Sequence, residues 1–229
     1  MNIINEENAD LLTLLDCGGT LFINNPNPKE VYANIMKLYG GKDIDLMAKY
    51  FNLEDELEQI RNSELYKSKP SKVAPYVAGE LMIDVLLERG EINKETLINA
   101  RIDAVRKRED KLISSLIEEY PSINFAIATQ DGQMIHKVLD HYFPELEKKY
   151  QVVTTDSDIN ALKTSPEFYY NAEKRLHIPT SNMALVDDAK SNIQGIENAG
   201  GLGTLFDPNN QHQTLEDTVK ETIEQMKRR

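Results

Sequence analysis

Five short apolar runs set the strongest constraint on how this chain can fold. Each run holds a few consecutive apolar or β-branched residues, and none of them alternates cleanly between apolar and polar positions. Continuous apolar strands of this kind suit a parallel sheet that is covered on both faces. The predicted strands are Leu11–Asp16, Ile123–Thr129, Gln151–Thr154, Met183–Asp187 and Leu202–Phe206.

Helical patterns separate the later strands. Asp131–Phe143 carries apolar side chains at helical spacing, and Ser165–Leu176 opens with a serine N-cap followed by a proline. Ala189–Ala199 stops at a pair of glycines, which commonly end a helix. The polar tail Leu215–Arg229 is predicted to form a surface helix. Strands and helices that alternate in this way predict a doubly wound α/β sheet.

A long gap between the first two predicted strands holds helical patterns and no convincing strand. A chain of 229 residues suits one domain that carries an insertion. We therefore expect an α/β core domain formed by residues 1–24 and 118–229, with an all-helical cap domain inserted at residues 25–117. The predicted cap helices are Val31–Tyr39, Glu54–Ile60, Val73–Leu87 and Thr96–Leu116.

The charge balance restricts the partners of the protein. Its 26 Lys and Arg residues stand against 38 Asp and Glu residues, a formal net charge of -12. This balance argues against nucleic acid and anionic membrane surfaces as partners, and the apolar runs are too short to span a bilayer. The one cysteine, Cys17, cannot form an internal disulfide, and the first residues lack the pattern of a signal peptide. We therefore expect a cytoplasmic protein, with the oligomeric state left open.

Polar residues follow the predicted strands at the points where these strands end. The first strand ends at Asp16, the second at Thr129 and the fourth at Asp187 and Asp188, while the third leads into a loop that reaches Lys163. Ligands of a doubly wound sheet bind outside this edge. Carboxylates can hold Mg²⁺, which offsets phosphate charge, and a hydroxyl and a lysine can bind the remaining phosphate oxygens. One carboxylate can instead attack phosphorus and form an aspartyl-phosphate.

Four segments of the chain together resemble the motifs of the haloacid dehalogenase-like hydrolase superfamily. Each segment is weak alone, but the four occur in the family's order. The resemblance covers nearly the whole chain and implies a Rossmann-like core with a helical cap that closes over the site. The segments are Leu12-Thr-Leu-Leu-Asp16-Cys-Gly-Gly-Thr20-Leu, Phe125-Ala-Ile-Ala-Thr129-Gln, Lys163-Thr-Ser-Pro166-Glu-Phe and Leu185-Val-Asp187-Asp188-Ala-Lys-Ser-Asn192.

The resemblance implies roles for single residues. Asp16 matches the nucleophile of the family, while Thr129 and Lys163 match its phosphate-binding hydroxyl and its stabilising lysine. These three are the implied catalytic residues. The implied substrate-binding residues are Gly18, Gly19, Thr129, Gln130 and Lys163.

The resemblance also implies Mg²⁺ as the cofactor and a small phosphorylated metabolite as the substrate. Asn192 matches a position that contacts the metal ligands without binding the metal itself. The cap would close over the substrate, exclude water and select what binds. The implied metal ligands are Asp16, Gly18 through its carbonyl oxygen, Asp187 and Asp188.

Gly18 departs from the family's usual pattern. Phosphatases of this family usually carry a second aspartate at this position, which protonates the leaving oxygen and later activates water. General acid–base help is worth about 10²–10⁴ in rate. We therefore expect weakened acid–base catalysis, with less effect on leaving groups that depart without a proton.

Three interpretations of the function follow. The first is a Mg²⁺-dependent phosphatase that acts on a small phosphorylated metabolite. The second is a sibling chemistry, namely cleavage of a carbon–phosphorus or carbon–halogen bond. Phosphonate cleavage needs a cap lysine, for which Lys67, Lys69 and Lys72 are candidates. The third is a catalytically inert phosphate-sensing or protein-binding module. Haloacid dehalogenases need no metal, so the paired acids Asp187 and Asp188 favour the phosphatase.

Overall fold

The parallel sheet that the apolar runs predict is present in the computed structural model, which describes residues 11–24, 30–131, 135–146, 151–153, 159–210 and 212–229. Numbered in chain order among the described strands, its members are β1 (Leu11–Asp16), β4 (Ile123–Thr129), β5 (Gln151–Val153), β6 (Met183–Asp187) and β7 (Leu202–Leu205). They are parallel and lie in the order β5-β4-β1-β6-β7. Thr154, which we expected to end the third strand, lies outside the described residues.

Helices cover both faces of this sheet. Side chains on a strand point alternately to opposite faces, so Leu15 of β1 and Ile127 of β4 pack in one buried cluster, while Leu14 and Ala126 pack in the other. The helices α7 (Leu112–Glu119), α8 (Ile135–Tyr142) and α11 (Leu215–Met226) contribute to the first cluster. The helices α9 (Pro166–Leu176) and α10 (Lys190–Asn198) contribute to the second. The doubly wound α/β fold is thereby confirmed.

The insertion between β1 and β4 forms a hydrophobic cluster of its own. The buried members include Leu38, Met47, Leu57, Met82 and Leu97, which come from five different helices. Because the inserted helices pack around their own hydrophobic cluster, the cap is a second structural unit beside the sheet. The cap helices are α1 (Glu30–Tyr39), α2 (Ile44–Tyr50), α3 (Glu54–Asn62), α4 (Glu64–Lys67), α5 (Ala74–Glu88) and α6 (Lys94–Asp103).

Two expectations about the insertion are wrong. The gap holds a short antiparallel strand pair, β2 (Phe22–Asn24) with β3 (Val105–Lys107), where we expected no strand. The predicted helix Thr96–Leu116 is divided into α6, β3 and α7. Its apolar residues fit one helical stripe, but the backbone of Val105–Lys107 pairs with the chain leaving β1. Periodicity along a single segment carries no information about such a partner.

The domain boundaries stay predictions, and α7 bears on one of them. Leu112, Ile113 and Leu116 of α7 are buried in the same cluster as the side chains of β4. The residues just before the expected boundary at 117 therefore contact the sheet.

Among the described residues, no helix combines the length and the hydropathy that crossing a bilayer requires.

Candidate active site

The register of three neighbouring strands brings the predicted site residues to one edge of the sheet. β1 lies between β4 and β6, and Asp16 at the end of β1 pairs with Ala128, one residue before Thr129. On the other side, the register of β1 with β6 makes Asp187 the neighbour of Asp16. Because the strands are parallel, these carboxyl ends share the edge at which such sheets bind ligands.

Lys163 lies between two of the aspartates, and its side chain is 1% exposed. Nζ donates to Asp16 Oδ1, to Asp187 Oδ2 at 2.8 Å and to the carbonyl oxygen of Ala128 at 3.3 Å. Each of its three N–H groups can therefore have an acceptor. Burial alone would lower the pKa of Lys163, but the two carboxylates outweigh burial and raise this pKa above its ordinary value. The lysine therefore remains a cation.

Asp187 is fully buried and is fixed by the start of α10. Oδ1 accepts from the backbone N–H of Ala189 at 2.8 Å, and both carboxylate oxygens lie 3.0 Å from the donating side-chain amide of Asn192. Gln130 in turn donates from Nε2 to Asn192 Oδ1 at 3.0 Å. A continuous chain of hydrogen bonds thus runs from Gln130 through Asn192 and Asp187 to Lys163.

Three carboxylates at this edge are arranged to hold a cation. Asp16, Asp187 and Asp188 each have one oxygen within 4.8 Å of the others. Burial raises the pKa of Asp16 from 3.8 to about 7, a rise that Lys163 opposes and that Asp187 and Asp188 reinforce. One ammonium among three carboxylates leaves an excess of negative charge when all are ionised. Carboxylate oxygens are hard ligands, so this donor set fits a divalent cation such as Mg²⁺.

The loop that follows Asp16 is held from two sides. The backbone N–H of Leu21 donates to the carbonyl oxygen of Asp16 at 3.2 Å, which folds the loop back on itself. Arg108, just after β3, donates from Nε to the carbonyl oxygen of Thr20 at 2.8 Å and from Nη2 to that of Gly19 at 2.5 Å. An arginine from the connection between cap and core thus fixes the shape of this loop.

The two glycines of this loop occupy different surroundings. Gly19 has a φ of +84°, and a Cβ added there would lie 2.1 Å from Oδ2 of Asp188, so the close approach of loop and carboxylate requires glycine. A Cβ added at Gly18 would meet nothing within 4 Å. Gly18 is exposed and could carry a side chain without displacing a neighbour.

Thr129 is buried at the end of β4 and is bonded to Asp131. Oγ1 of Thr129 accepts from the backbone N–H of Asp131 and donates to Asp131 Oδ2, both at 3.2 Å. The other carboxylate oxygen of Asp131 lies 2.8 Å from Nη2 of Arg101, a cap residue on α6. Arg101 is 3% exposed, and its guanidinium lies 4.4 Å from the ring centre of Tyr39. This ion pair, in which the arginine is buried and the Asp131 side chain is 33% exposed, joins the cap to the residues that follow β4.

The predicted residues therefore lie together, although their catalytic and binding roles stay predictions. Lys163 is bonded to both Asp16 and Asp187, and Asp188 belongs to the same acidic cluster. Gln130 is bonded to Asn192, which contacts Asp187. Thr129 ends β4, while Gly18 and Gly19 lie on the loop after β1.

Three residues at the site escaped sequence reasoning, namely Arg101, Arg108 and Asp131. Both arginines fell within one predicted helix, so nothing distinguished them from ordinary surface cations. Asp131 was assigned to the start of a helix, although its position two residues after Thr129 was a signal that could have been used.

Comparison with known proteins identifies the family. The model of haloacid dehalogenase-like hydrolases matches residues 12–200, which is most of the chain. The chain belongs to this family of hydrolases. No curated protein sequence matches the chain at a significant level.

Solved structures share the fold at low sequence identity. A HAD family enzyme from Bacteroides thetaiotaomicron, solved with magnesium and inorganic phosphate, is 13% identical, with coverage of 88% of this chain and 96% of its own and a TM-score of 0.51. A HAD hydrolase of family IA, variant 3, from Entamoeba histolytica HM-1:IMSS is also 13% identical. The match covers 93% of this chain and 99% of the neighbour, with a TM-score of 0.51. An L-2-haloacid dehalogenase has 13% identity, coverage of 94% and 99%, and a TM-score of 0.51.

Close packing at Gly195 positions Lys163 and generates a prediction. A Cβ at Gly195 of α10 would lie 2.1 Å from the carbonyl oxygen of Lys163. We expect Gly195→Ala to force α10 away from the lysine loop and to lower the free energy of unfolding by about 1–3 kcal/mol, measured by urea denaturation.

Gly40→Ala is the matched control, because a Cβ there would meet only the carbonyl oxygen of Lys37 at an ordinary 3.7 Å. We expect a change within about 0.5 kcal/mol for this variant. Equal destabilisation by the two substitutions would contradict the proposed role of Gly195.

Proposed function

We propose that the protein is a Mg²⁺-dependent phosphatase that acts on a small phosphorylated metabolite through an aspartyl-phosphate at Asp16. The observation that carries this proposal is the buried Lys163, bonded to both Asp16 and Asp187, within a cluster that Asp188 completes. A nucleophile, a cation and a metal-binding acid set lie together at the ligand-binding edge of the sheet.

The donor set supports Mg²⁺ as the cofactor. Asp16, the carbonyl oxygen of Gly18, Asp187 and Asp188 would hold the ion. The ion would offset the charge of a phosphate dianion, which three carboxylates would otherwise repel. The structural neighbour from Bacteroides thetaiotaomicron was solved with magnesium and inorganic phosphate, which is consistent with this assignment.

The residues of the chain account for phosphoryl transfer. A carboxylate oxygen of Asp16 attacks phosphorus, and the bond to the leaving oxygen breaks as the new oxygen–phosphorus bond forms. Lys163 and the Thr129 hydroxyl bind phosphate oxygens, and the backbone amides near Gly19 and the Gln130 amide contribute to substrate binding. Water then cleaves the aspartyl-phosphate and restores Asp16. The cap selects the substrate.

The structure favours a phosphatase over the sibling chemistries. The candidate cap lysines for phosphonate cleavage do not point to such a role, because Lys67 and Lys72 are exposed and Lys69 is only partly buried. One structural neighbour is an L-2-haloacid dehalogenase, but the cluster of Asp16, Asp187 and Asp188 offers a cation site that carbon–halogen cleavage does not require. An inert phosphate-sensing or protein-binding module remains the alternative if turnover is absent. Nucleic acid and membrane surfaces are not proposed as partners, and a cytoplasmic location stays a prediction.

Turnover of p-nitrophenyl phosphate tests the proposal, because the nitrophenolate leaving group needs no proton. We expect release of p-nitrophenol that requires Mg²⁺, and we expect Asp16→Asn to lower the turnover number by at least about 10³-fold because the nucleophile is lost. Absorbance of the product, with and without EDTA, measures both effects.

Asp45→Asn is the matched control, because Asp45 lies on the cap surface and pairs with Arg61 away from the site. Its turnover should equal that of the unmodified protein. If Asp16→Asn and Asp45→Asn retain the same Mg²⁺-dependent turnover, Asp16 is not the nucleophile. If no turnover occurs while inorganic phosphate still binds, the inert module is favoured.

A further inference from the structure

The proposed reaction needs a proton donor that the residues assigned above do not supply. An alkoxide leaves phosphorus slowly unless an acid protonates it, and the later attack of water is faster with a base. Asp16 is the proposed nucleophile, while Asp187 and Asp188 are proposed metal ligands. Gly18 places no carboxyl group on the nucleophile loop. The acid and base must therefore come from another element.

Asp131 lies beside this loop. β1 and β4 run in one-to-one register up to the pair Asp16 and Ala128. Asp131 follows Thr129, the last residue of β4, by two residues, and its Oδ2 lies 3.2 Å from the Thr129 hydroxyl at the same edge of the sheet as Asp16. Burial raises the pKa of the Cys17 thiol, and the carboxylates of Asp131 and Asp16 both reinforce this rise, which is consistent with the contact geometry.

The two oxygens of the Asp131 carboxylate have different surroundings. Oδ1 is held by the buried guanidinium of Arg101, which fixes the orientation of the group. Oδ2 accepts from the Thr129 hydroxyl, which is itself a proposed phosphate ligand. If that hydroxyl turned to a bound phosphate, as the proposed function requires, Oδ2 would lose this donor and lie close to the phosphate. One oxygen is thus anchored while the other can exchange its partner for substrate.

From this placement we propose that Asp131 is the general acid and base of the reaction, an inference that rests on the proposed phosphatase function. Asp131 takes up a proton from solvent before the first turnover and gives it to the leaving oxygen as the phosphorus–oxygen bond breaks and Asp16 bonds to phosphorus. The resulting carboxylate takes a proton from the water that attacks the aspartyl-phosphate, which releases inorganic phosphate and restores both aspartates. Arg101 is a positioning residue that orients Asp131 from the cap.

The first test compares two leaving groups in Asp131→Asn. The value of kcat/KM covers the steps up to departure of the leaving group, so it isolates the acid role from the later attack of water. We expect kcat/KM to fall by about 10²–10⁴-fold for ethyl phosphate, whose alkoxide needs a proton. For p-nitrophenyl phosphate it should fall by less than about tenfold, together with a burst of p-nitrophenol because attack of water has lost its base.

A second pair of variants separates the carboxylate of Asp131 from its ion pair with Arg101. A side chain at Gly18 has open space, so Gly18→Asp in the Asp131→Asn background should raise kcat/KM for ethyl phosphate at least about tenfold. Arg101→Gln removes the ion pair and keeps the carboxylate, so it should lower kcat/KM for ethyl phosphate more than kcat/KM for p-nitrophenyl phosphate, as Asp131→Asn does, but by a smaller factor. Melting curves of each variant show whether it is folded.

Several results would overturn the proposal while leaving the phosphatase function intact. These are an equal loss for both substrates in Asp131→Asn, and a wild type that turns over p-nitrophenyl phosphate but not ethyl phosphate. Tyr76, a residue of the cap, is a rival proton donor. Burial raises its pKa, and the Asp131 carboxylate reinforces this rise. A leaving-group-selective loss in Tyr76→Phe instead of Asp131→Asn would assign the role to Tyr76. Absence of Asp16-dependent turnover of p-nitrophenyl phosphate would instead overturn the proposed function itself.

Discussion

The buried ammonium of Lys163 is the interaction on which the rest of the site depends. It joins carboxylates from two neighbouring strands, Asp16 on β1 and Asp187 on β6, and also bonds to a backbone carbonyl of β4. A charge this deeply buried is tolerated only when it is paired and hydrogen-bonded. Removing one partner of such a buried pair typically costs about 3–5 kcal/mol. Lys163 therefore stabilises the closeness of two carboxylates that would otherwise repel each other.

The same electrostatics explain why the proposed phosphatase reaction needs a cation. One lysine does not neutralise the carboxylates of Asp16, Asp187 and Asp188, so an approaching phosphate meets net negative charge. A divalent ion reverses this balance and would keep Asp16 ionised, since burial otherwise raises its pKa to about 7. Arg101 brings positive charge from the cap to Asp131, two residues after Thr129. Contact between cap and core is thus linked to the arrangement of the residues that follow β4.

Most of the core and the acidic edge could be predicted from the sequence, because both depend on local patterns. The strands β1, β4 and β6 begin and end at the residues that the continuous apolar runs predict, and Asp16 and Asp187 end two of these strands. The β2–β3 pair could not be predicted, since it depends on a backbone partner that lies far away in the sequence. Arg101 and Asp131 escaped for the same reason. Each is unremarkable within its own segment, and only the packing of the cap on the core brings them together.

The most direct test of this account is the melting temperature of the metal-free protein as Mg²⁺ is added. A ligand that binds only the folded state at about 100 times its dissociation constant stabilises by about 2.7 kcal/mol, or about 5–10 °C for a domain of this size. The account predicts such a rise for the wild type and for Asp55→Asn, an exposed cap residue, and a much smaller rise for Asp188→Asn. A melting temperature that does not respond to several millimolar Mg²⁺, or that rises equally in Asp188→Asn, would contradict it.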